Sequence, residues 1–215
     1  MTRPTRATAA PLAWWIVVPV KAGAGAKSRL GALPGIDRAE LASALSLDVI
    51  AAAVGAVGGD RVVVVTSSAS LAAAVGPWGV QCLPDPQAGL DAAVFAGDSY
   101  AVDQGADAVA ALLGDVAAVT AEDLAGALAA AAVTPRALVP DHEGTGTALI
   151  TAILPARMRP AFGPGSARRH EDAGHTLLPL ELPRLRTDVD DADSLAAAVA
   201  LGVGPHTRAV LGTAR

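Results

Sequence analysis

The stretch Arg61-Val62-Val63-Val64-Val65-Thr66 decides the fold. Four consecutive valines leave no polar face, so this strand is covered on both sides, as strands are in the middle of a parallel sheet. Before it lies Asp37–Val57, long and rich in Ala and Leu, stopped by Gly58-Gly59. That is a helix with its stop signal. After it, Ser68–Val75 predicts a short helix. The same alternation continues outward in both directions. Trp14–Val20 is a β-branched and aromatic run, hence a buried first strand, and Lys21–Gly31 is a Gly/Ala/Lys loop. Val80–Leu83 predicts a short strand halted by Pro84 and Pro86. Gly89–Gln104 predicts a helix, Ala108–Leu113 a strand ending in Gly114-Asp115, Glu122–Ala132 a helix, and Arg136–Val139 and Ala148–Leu154 two strands. A helix runs from Ser166, read as its N-cap, through Ala173. Thr176–Leu180 and Arg186–Val189 predict two late strands, and Asp191–Leu201 a last helix ended by Gly202, Gly204 and Pro205. Strands alternating with helices give an α/β three-layer sandwich with a mostly parallel, mixed central sheet. In such sheets ligands bind outside the carboxyl ends of the strands. Residues 1–11 are expected to form a flexible tail and residues 12–215 a single domain.

Composition narrows the function. A chain of 215 residues buries roughly 70% of its unfolded surface and needs no disulfide or metal to hold a core. It is 52% hydrophobic, with 51 alanines, and 17% charged, which excludes a disordered chain. Six aromatics and a net charge of −5 argue against a protein that tracks nucleic acid. No apolar run approaches the roughly 18 residues of a membrane span. The nine-residue run Leu12–Val20, preceded by Arg3 and Arg6, is short for a secretory signal and reads equally well as a buried strand. Cys82 is the only cysteine, which excludes an internal disulfide and a cysteine-rich zinc site and suits a reducing cytoplasm.

Two clusters carry chemistry. The first is the loop after the first strand, with Lys21, Gly23, Gly25, Lys27 and Arg29. It fails as a dinucleotide fingerprint, because Ser28 stands where the third glycine belongs. It fails as a P-loop too, because Ala26 precedes Lys27. What survives is a glycine-bearing loop offering N–H groups and cations to phosphates. The chain has 14 arginines but only two lysines, Lys21 and Lys27, both in this loop. Lys is a compact charge that the planar Arg fork does not replace at a crowded phosphate. The second cluster is Asp115, at a strand end, with Asp188 and Asp190, which project to one side of an extended segment while Val189 turns inward. Three carboxylates suit Mg²⁺ together with substrate phosphates. Asp191 and Asp193 read instead as first-turn residues of the last helix. Asp141–Thr147 offers two glycines and two threonine hydroxyls. Arg168, Arg169 and His170 read as a solvated basic face.

Taken in order, Val-Pro-Val-Lys21, Ala-Lys27-Ser-Arg29-Leu, Leu-Leu-Gly-Asp115, Gly-Thr-Gly-Thr147, Phe-Gly-Pro-Gly-Ser166 with His170, and Leu-Arg-Thr-Asp188-Val-Asp190 resemble a known family. It is that of the 2-phospho-L-lactate / phosphoenolpyruvate guanylyltransferases of coenzyme F-420 biosynthesis, and the resemblance covers residues 14–205. It implies a nucleotidyltransferase fold shared with sugar-nucleotide and molybdenum-cofactor transferases. It also implies attack of a small phosphorylated acid on the α-phosphorus of GTP, with release of pyrophosphate. By that resemblance Asp115, Asp188 and Asp190 hold Mg²⁺, Thr147, Gly163 and Ser166 contact the acid, and Lys21, Gly23, Gly25, Lys27 and Arg29 face the nucleotide. Lys27 would also act catalytically. A downstream transferase of the same pathway is the implied protein partner. The choice between phosphoenolpyruvate and 2-phospho-L-lactate leans to the former on the high-GC character of the composition. Alternatives are a related transferase with another phosphate acceptor and a catalytically weakened nucleotide-binding scaffold. Two departures bear on activity. Val116-Ala117-Ala118-Val119 replaces the family's Leu-Pro-Ala-Leu, and Asp91 stands for Asn, adding a carboxylate that could repel the nucleotide.

Overall fold

The computed structural model describes residues 12–21 and 36–212. The strands are β1 (Trp14–Val20), β2 (Val62–Thr66), β3 (Gln81–Leu83), β4 (Ala108–Leu112), β5 (Arg136–Pro140), β6 (Thr147–Ile153) and β7 (Thr176–Leu177). The helices are α1 (Arg38–Val57), α2 (Ala69–Val75), α3 (Leu90–Asp103), α4 (Ala121–Ala131), α5 (Ser166–Asp172), α6 (Pro183–Arg186), α7 (Ala192–Leu201) and α8 (Pro205–Gly212). The seven strands form one sheet in the order β3-β2-β1-β4-β6-β5-β7. Only β6 runs against its neighbours, β4 and β5. That reversal puts the start of β6 at the same sheet edge as the ends of β1, β2, β4 and β5.

The four valines explain the layering. Val62 and Val64 point into the core shared with α1, α2 and α4, and Val63 and Val65 into the core shared with α3 and α5. All four are fully buried. Period-two alternation on a strand with two apolar faces requires a helical layer on each side. A third cluster, formed by Leu41, Leu45, Ala117, Val189 and Leu195, seats α7 and the segment after β4 against the start of α1. This cluster positions the site.

α1 is 20 residues long with a mean hydropathy of 1.7 over an 18-residue window, enough to cross a membrane by length and composition. The expectation that no segment approaches that threshold is corrected to this extent. Half of the window is buried, against β1, β2, α4 and α8.

Three further expectations change. Arg186–Val189 is not a strand. Pro183 starts the single-turn α6, whose Pro183 carbonyl accepts the Thr187 hydroxyl at 2.9 Å, and an irregular segment carries Asp188 to Asp190. The strand expected over Thr176–Leu180 pairs only at Thr176–Leu177: the Leu178 N–H gives the last bond to β5, at 2.9 Å to the Leu138 carbonyl, and the next donor, the Leu180 N–H, turns back to the Leu178 carbonyl at 2.9 Å. α7 ends at Leu201 on Gly202 as expected, but Pro205 does more than follow a helix end. It opens α8, since a proline at the first helical position has no N–H to leave orphaned. The cap comes from across the fold, where Asp48 of α1 accepts the N–H groups of His206 at 3.0 Å and Thr207 at 2.8 Å.

Candidate active site

Asp115 sits just beyond the end of β4. Two bonds fix its backbone there. Ser46 of α1 donates to the Gly114 carbonyl at 3.0 Å, and the Val189 N–H donates to the Asp115 carbonyl at 3.1 Å. The second bond, together with the burial of Val189, brings the neighbours of Val189 alongside. One carboxylate oxygen each from Asp115, Asp188 and Asp190 lie within 4.8 Å of one another. Burial pushes the Asp188 carboxyl up to about 6, helped by the charges of Asp115, Asp190 and Asp141. His142 Nδ1 stands 3.9 Å from Asp188. Three mutually repelling, hard oxygen donors fit a divalent cation, whose charge would relieve the repulsion.

A cavity of about 950 Å³ opens beside this cluster. Its floor comes from the strand ends, with Pro19, Val65, Gly114 and Asp115, and its wall from Ser43 and Ser46 of α1. Asp190 and Lys21 also border it. Lys21 is exposed at the rim. Gly23, Gly25, Lys27 and Arg29 lie outside the described residues.

On the other flank, two loops are held by bonds that the sequence reading missed. The Asp141 carboxylate accepts the N–H groups of Thr145 at 3.0 Å and Gly146 at 2.8 Å. A side chain at Gly146 would collide with that carboxylate. Arg186 donates twice to the Asp141 carbonyl, tying this loop to the Asp188 segment. In the second loop Arg169 donates to the carbonyls of Ala161 (3.0 Å), Phe162 (2.8 Å) and Pro164. With its carbonyls claimed from one side, the loop has the N–H groups of Gly163 and Gly165 left to offer, since no acceptor takes them among the described residues. Gly163 holds φ +112°, a conformation that favours glycine.

Thr147 and Ser166 are both buried and meet at 3.1 Å, with the Ser166 hydroxyl donating. Ser166 is not the helix cap. Gly165, in the left-handed conformation, occupies that place and Ser166 is the first helical residue. His170 does not belong to a solvated face either. It is fully buried, with Nδ1 3.0 Å from the Thr147 hydroxyl and Nε2 accepting the Ala161 N–H at 2.9 Å. Burial, with His175 and Arg169 nearby, lowers its pKa to about 4. Arg168 remains exposed and pairs with Asp172 at 3.1 Å. Asp191 caps α7 as expected, in a reciprocal box with Ser194.

The family model for the MobA-like NTP transferase domain matches residues 24–179. A phosphoenolpyruvate guanylyltransferase from Geodermatophilus obscurus is 45% identical over 209 residues, covering 94% of this chain and 95% of that protein. One from Salinispora arenicola is 42% identical, covering 94% of each. The chain belongs to the phosphoenolpyruvate guanylyltransferase family, within the MobA-like NTP transferases. It is a nucleotidyltransferase. Its fold matches a candidate nucleotide-diphospho-sugar transferase from Desulfovibrio desulfuricans G20, at TM-score 0.70, 18% identity and coverage of 94% and 95% of the two chains. A nucleotidyl transferase from Methanothermobacter matches at TM-score 0.58 and 18% identity, over 87% of this chain and 97% of that one.

Both departures from the family pattern have a structural reading. Asp91 accepts the Phe162 N–H at 2.9 Å, so that oxygen is turned to the loop of Ala161–Gly165 rather than to a nucleotide. The segment Val116–Val119 is buried and closed by a turn bond from Val119 N–H to the Val116 carbonyl at 2.9 Å. The Ala117 carbonyl accepts the Gly204 N–H. These contacts hold the turn where the family uses proline.

Proposed function

We propose that this protein joins GTP to phosphoenolpyruvate in the coenzyme F-420 pathway. An oxygen of the acid's phosphate attacks the α-phosphorus of GTP. A new phosphoanhydride bond forms, the α–β bond breaks, and pyrophosphate leaves. The observation that carries this reading is the meeting of Asp115, Asp188 and Asp190 at the rim of the strand-end cavity, in a chain of this family. The cavity takes the nucleotide, with Lys21 and, by resemblance, Gly23, Gly25, Lys27 and Arg29 at its phosphates. Mg²⁺ held by the three aspartates would supply charge neutralisation to the reacting phosphates. The protein's own contribution is positioning, since the nucleophile is already an anionic oxygen and needs no base. The neutral, fully bonded His170 is consistent with that. Thr147, Gly163 and Ser166 form the acid subsite, where the loop N–H groups and the Thr147 hydroxyl face the anion and the Ser166 hydroxyl holds Thr147.

The preference for phosphoenolpyruvate over 2-phospho-L-lactate rests on the names of the relatives. Mass spectrometry of products from GTP and Mg²⁺ with each acid in turn tests the reading. The expected result is a guanylylated phosphoenolpyruvate with stoichiometric pyrophosphate. GTP consumed only with a sugar phosphate or a molybdenum-cofactor precursor would overturn it.

A further inference from the structure

Hydrogen positions around His170 follow from a donor that has no choice. The Ala161 backbone N–H can only donate, so the Nε2 it meets must present a lone pair. The ring is buried and neutral, so its one hydrogen sits on Nδ1. That hydrogen points at the Thr147 hydroxyl oxygen, 3.0 Å away, with the Ser166 backbone carbonyl as a further acceptor, and the Thr147 oxygen also receives the Ser166 hydroxyl at 3.1 Å. Both lone pairs of the Thr147 oxygen are thereby occupied, and its own hydrogen can go to neither partner. Among the described residues no acceptor takes that hydrogen. The other tautomer would reverse the arrangement. Thr147 would donate to Nδ1 and be left with a lone pair, which repels an anion. The ring is kept in place by edge contacts with Phe162, at 4.8 Å between centroids, and His175, at 5.4 Å.

We propose that His170 is a positioning residue for the acid subsite, fixing the Thr147 hydroxyl as a hydrogen-bond donor to the anionic group of the phosphorylated acid. The inference rests on the proposed reaction and adds a residue that touches neither substrate.

Two amide substitutions separate its two bonds. In His170→Asn the amide N–H lies near the Nδ1 position and keeps the donor to Thr147. In His170→Gln the amide oxygen lies near the Nε2 position and keeps the acceptor for Ala161, while the donor is lost. Steady-state kinetics with GTP and phosphoenolpyruvate should show KM for the acid raised about tenfold in His170→Gln and changed less than about threefold in His170→Asn. KM for GTP and the melting temperature should be similar in the two variants. Equal effects on the acid KM, or the reverse order, overturn the inference. A wild-type protein that yields no product overturns the reaction itself and with it the substrate named here. Should the variants not fold, long-range ¹⁵N–¹H NMR of the wild-type imidazoles at pH 7 decides the matter. A neutral His170 protonated on Nδ1 supports the inference, and a ring protonated on Nε2 or on both nitrogens overturns it.

Discussion

At the scale of single residues, the carboxylate of Asp188 works against the fold when no cation is present. Its pKa rises from 3.8 to about 6 on folding, chiefly through burial and then through Asp115. A carboxyl raised in the folded state favours that state while protonated. The benefit is complete below about pH 4 and is lost as pH climbs through about 6. A rise of that size corresponds to at most about 3 kcal/mol. Asp188→Asn removes the charge, so with EDTA the variant should melt above the wild type at pH 7.5, and the gap should close at pH 4. Pyrophosphate release by the same variant should fall about 10²–10³-fold, the usual effect of losing one charge-stabilising group. A gap that does not change with pH would remove Asp188 from the repelling cluster. Ser166 makes a second case at this scale. Because Gly165 holds the cap position, Ser166→Ala loses a hydroxyl bond and no cap. The expected cost is about 1 kcal/mol of stability. The acid's KM should rise several-fold with GTP's unchanged, a split that steady-state kinetics reads directly.

At the scale of elements, strands and caps were legible because each depends on neighbours in sequence. The valine run, the short helix expected from Ser68 and the place of Asp191 at the start of α7 all stand within one or two residues of expectation, whereas the cap expected at Ser166 falls on Gly165. What stayed hidden depends on partners far away in the chain. α8 begins where a glycine–proline pair signals an end, and only Asp48, 158 residues earlier, supplies its cap. Asp48 is buried in the middle of an apolar helix, a position that reads as a defect until α8 is in place. Arg186–Val189 looks extended by composition, but Pro183 closes a helical turn just before it. The site divides in the same way. Asp115, Asp188 and Asp190 could be chosen as strand-end acids, whereas the bonds of Arg169 and His170 exist only once a loop folds back over α5. Asp48→Ala tests the long-range cap. Leaving the N–H groups of His206 and Thr207 without their acceptor should cost about 2 kcal/mol. For a chain of this size that lowers the melting temperature by about 4–8 °C. Asp48→Asn should lie between, and turnover per folded molecule should be nearly unchanged in both.

At the scale of the whole molecule, the reversal of β6 divides the sheet into two working parts. Strands β3, β2, β1 and β4 end beside the cavity proposed for the nucleotide, whereas the loops beside β5 and β6 make the proposed acid subsite. The three carboxylates lie at the seam, where β4 ends and the Asp188 segment crosses. A second link crosses the same seam, from Asp91 at the start of α3 to the Phe162 N–H. Gly89 and Leu90, just before Asp91, line the cavity, while Phe162 adjoins the Gly163 turn and packs on His170. The bond thus couples the cavity wall to the loop of the proposed acid subsite, and it needs an acceptor oxygen rather than a charge. Asn supplies that oxygen as well as Asp does, so the two residues are interchangeable in this role. Asp91→Asn should therefore leave both KM values within about twofold of the wild type. Asp91→Ala deletes the acceptor and frees the acid loop, and should raise the acid's KM about tenfold and GTP's less. Kinetics with each substrate varied at saturation of the other reads both values. A marked gain in GTP affinity for Asp91→Asn would mean that the carboxylate repels the nucleotide after all, and that its bond to Phe162 is incidental.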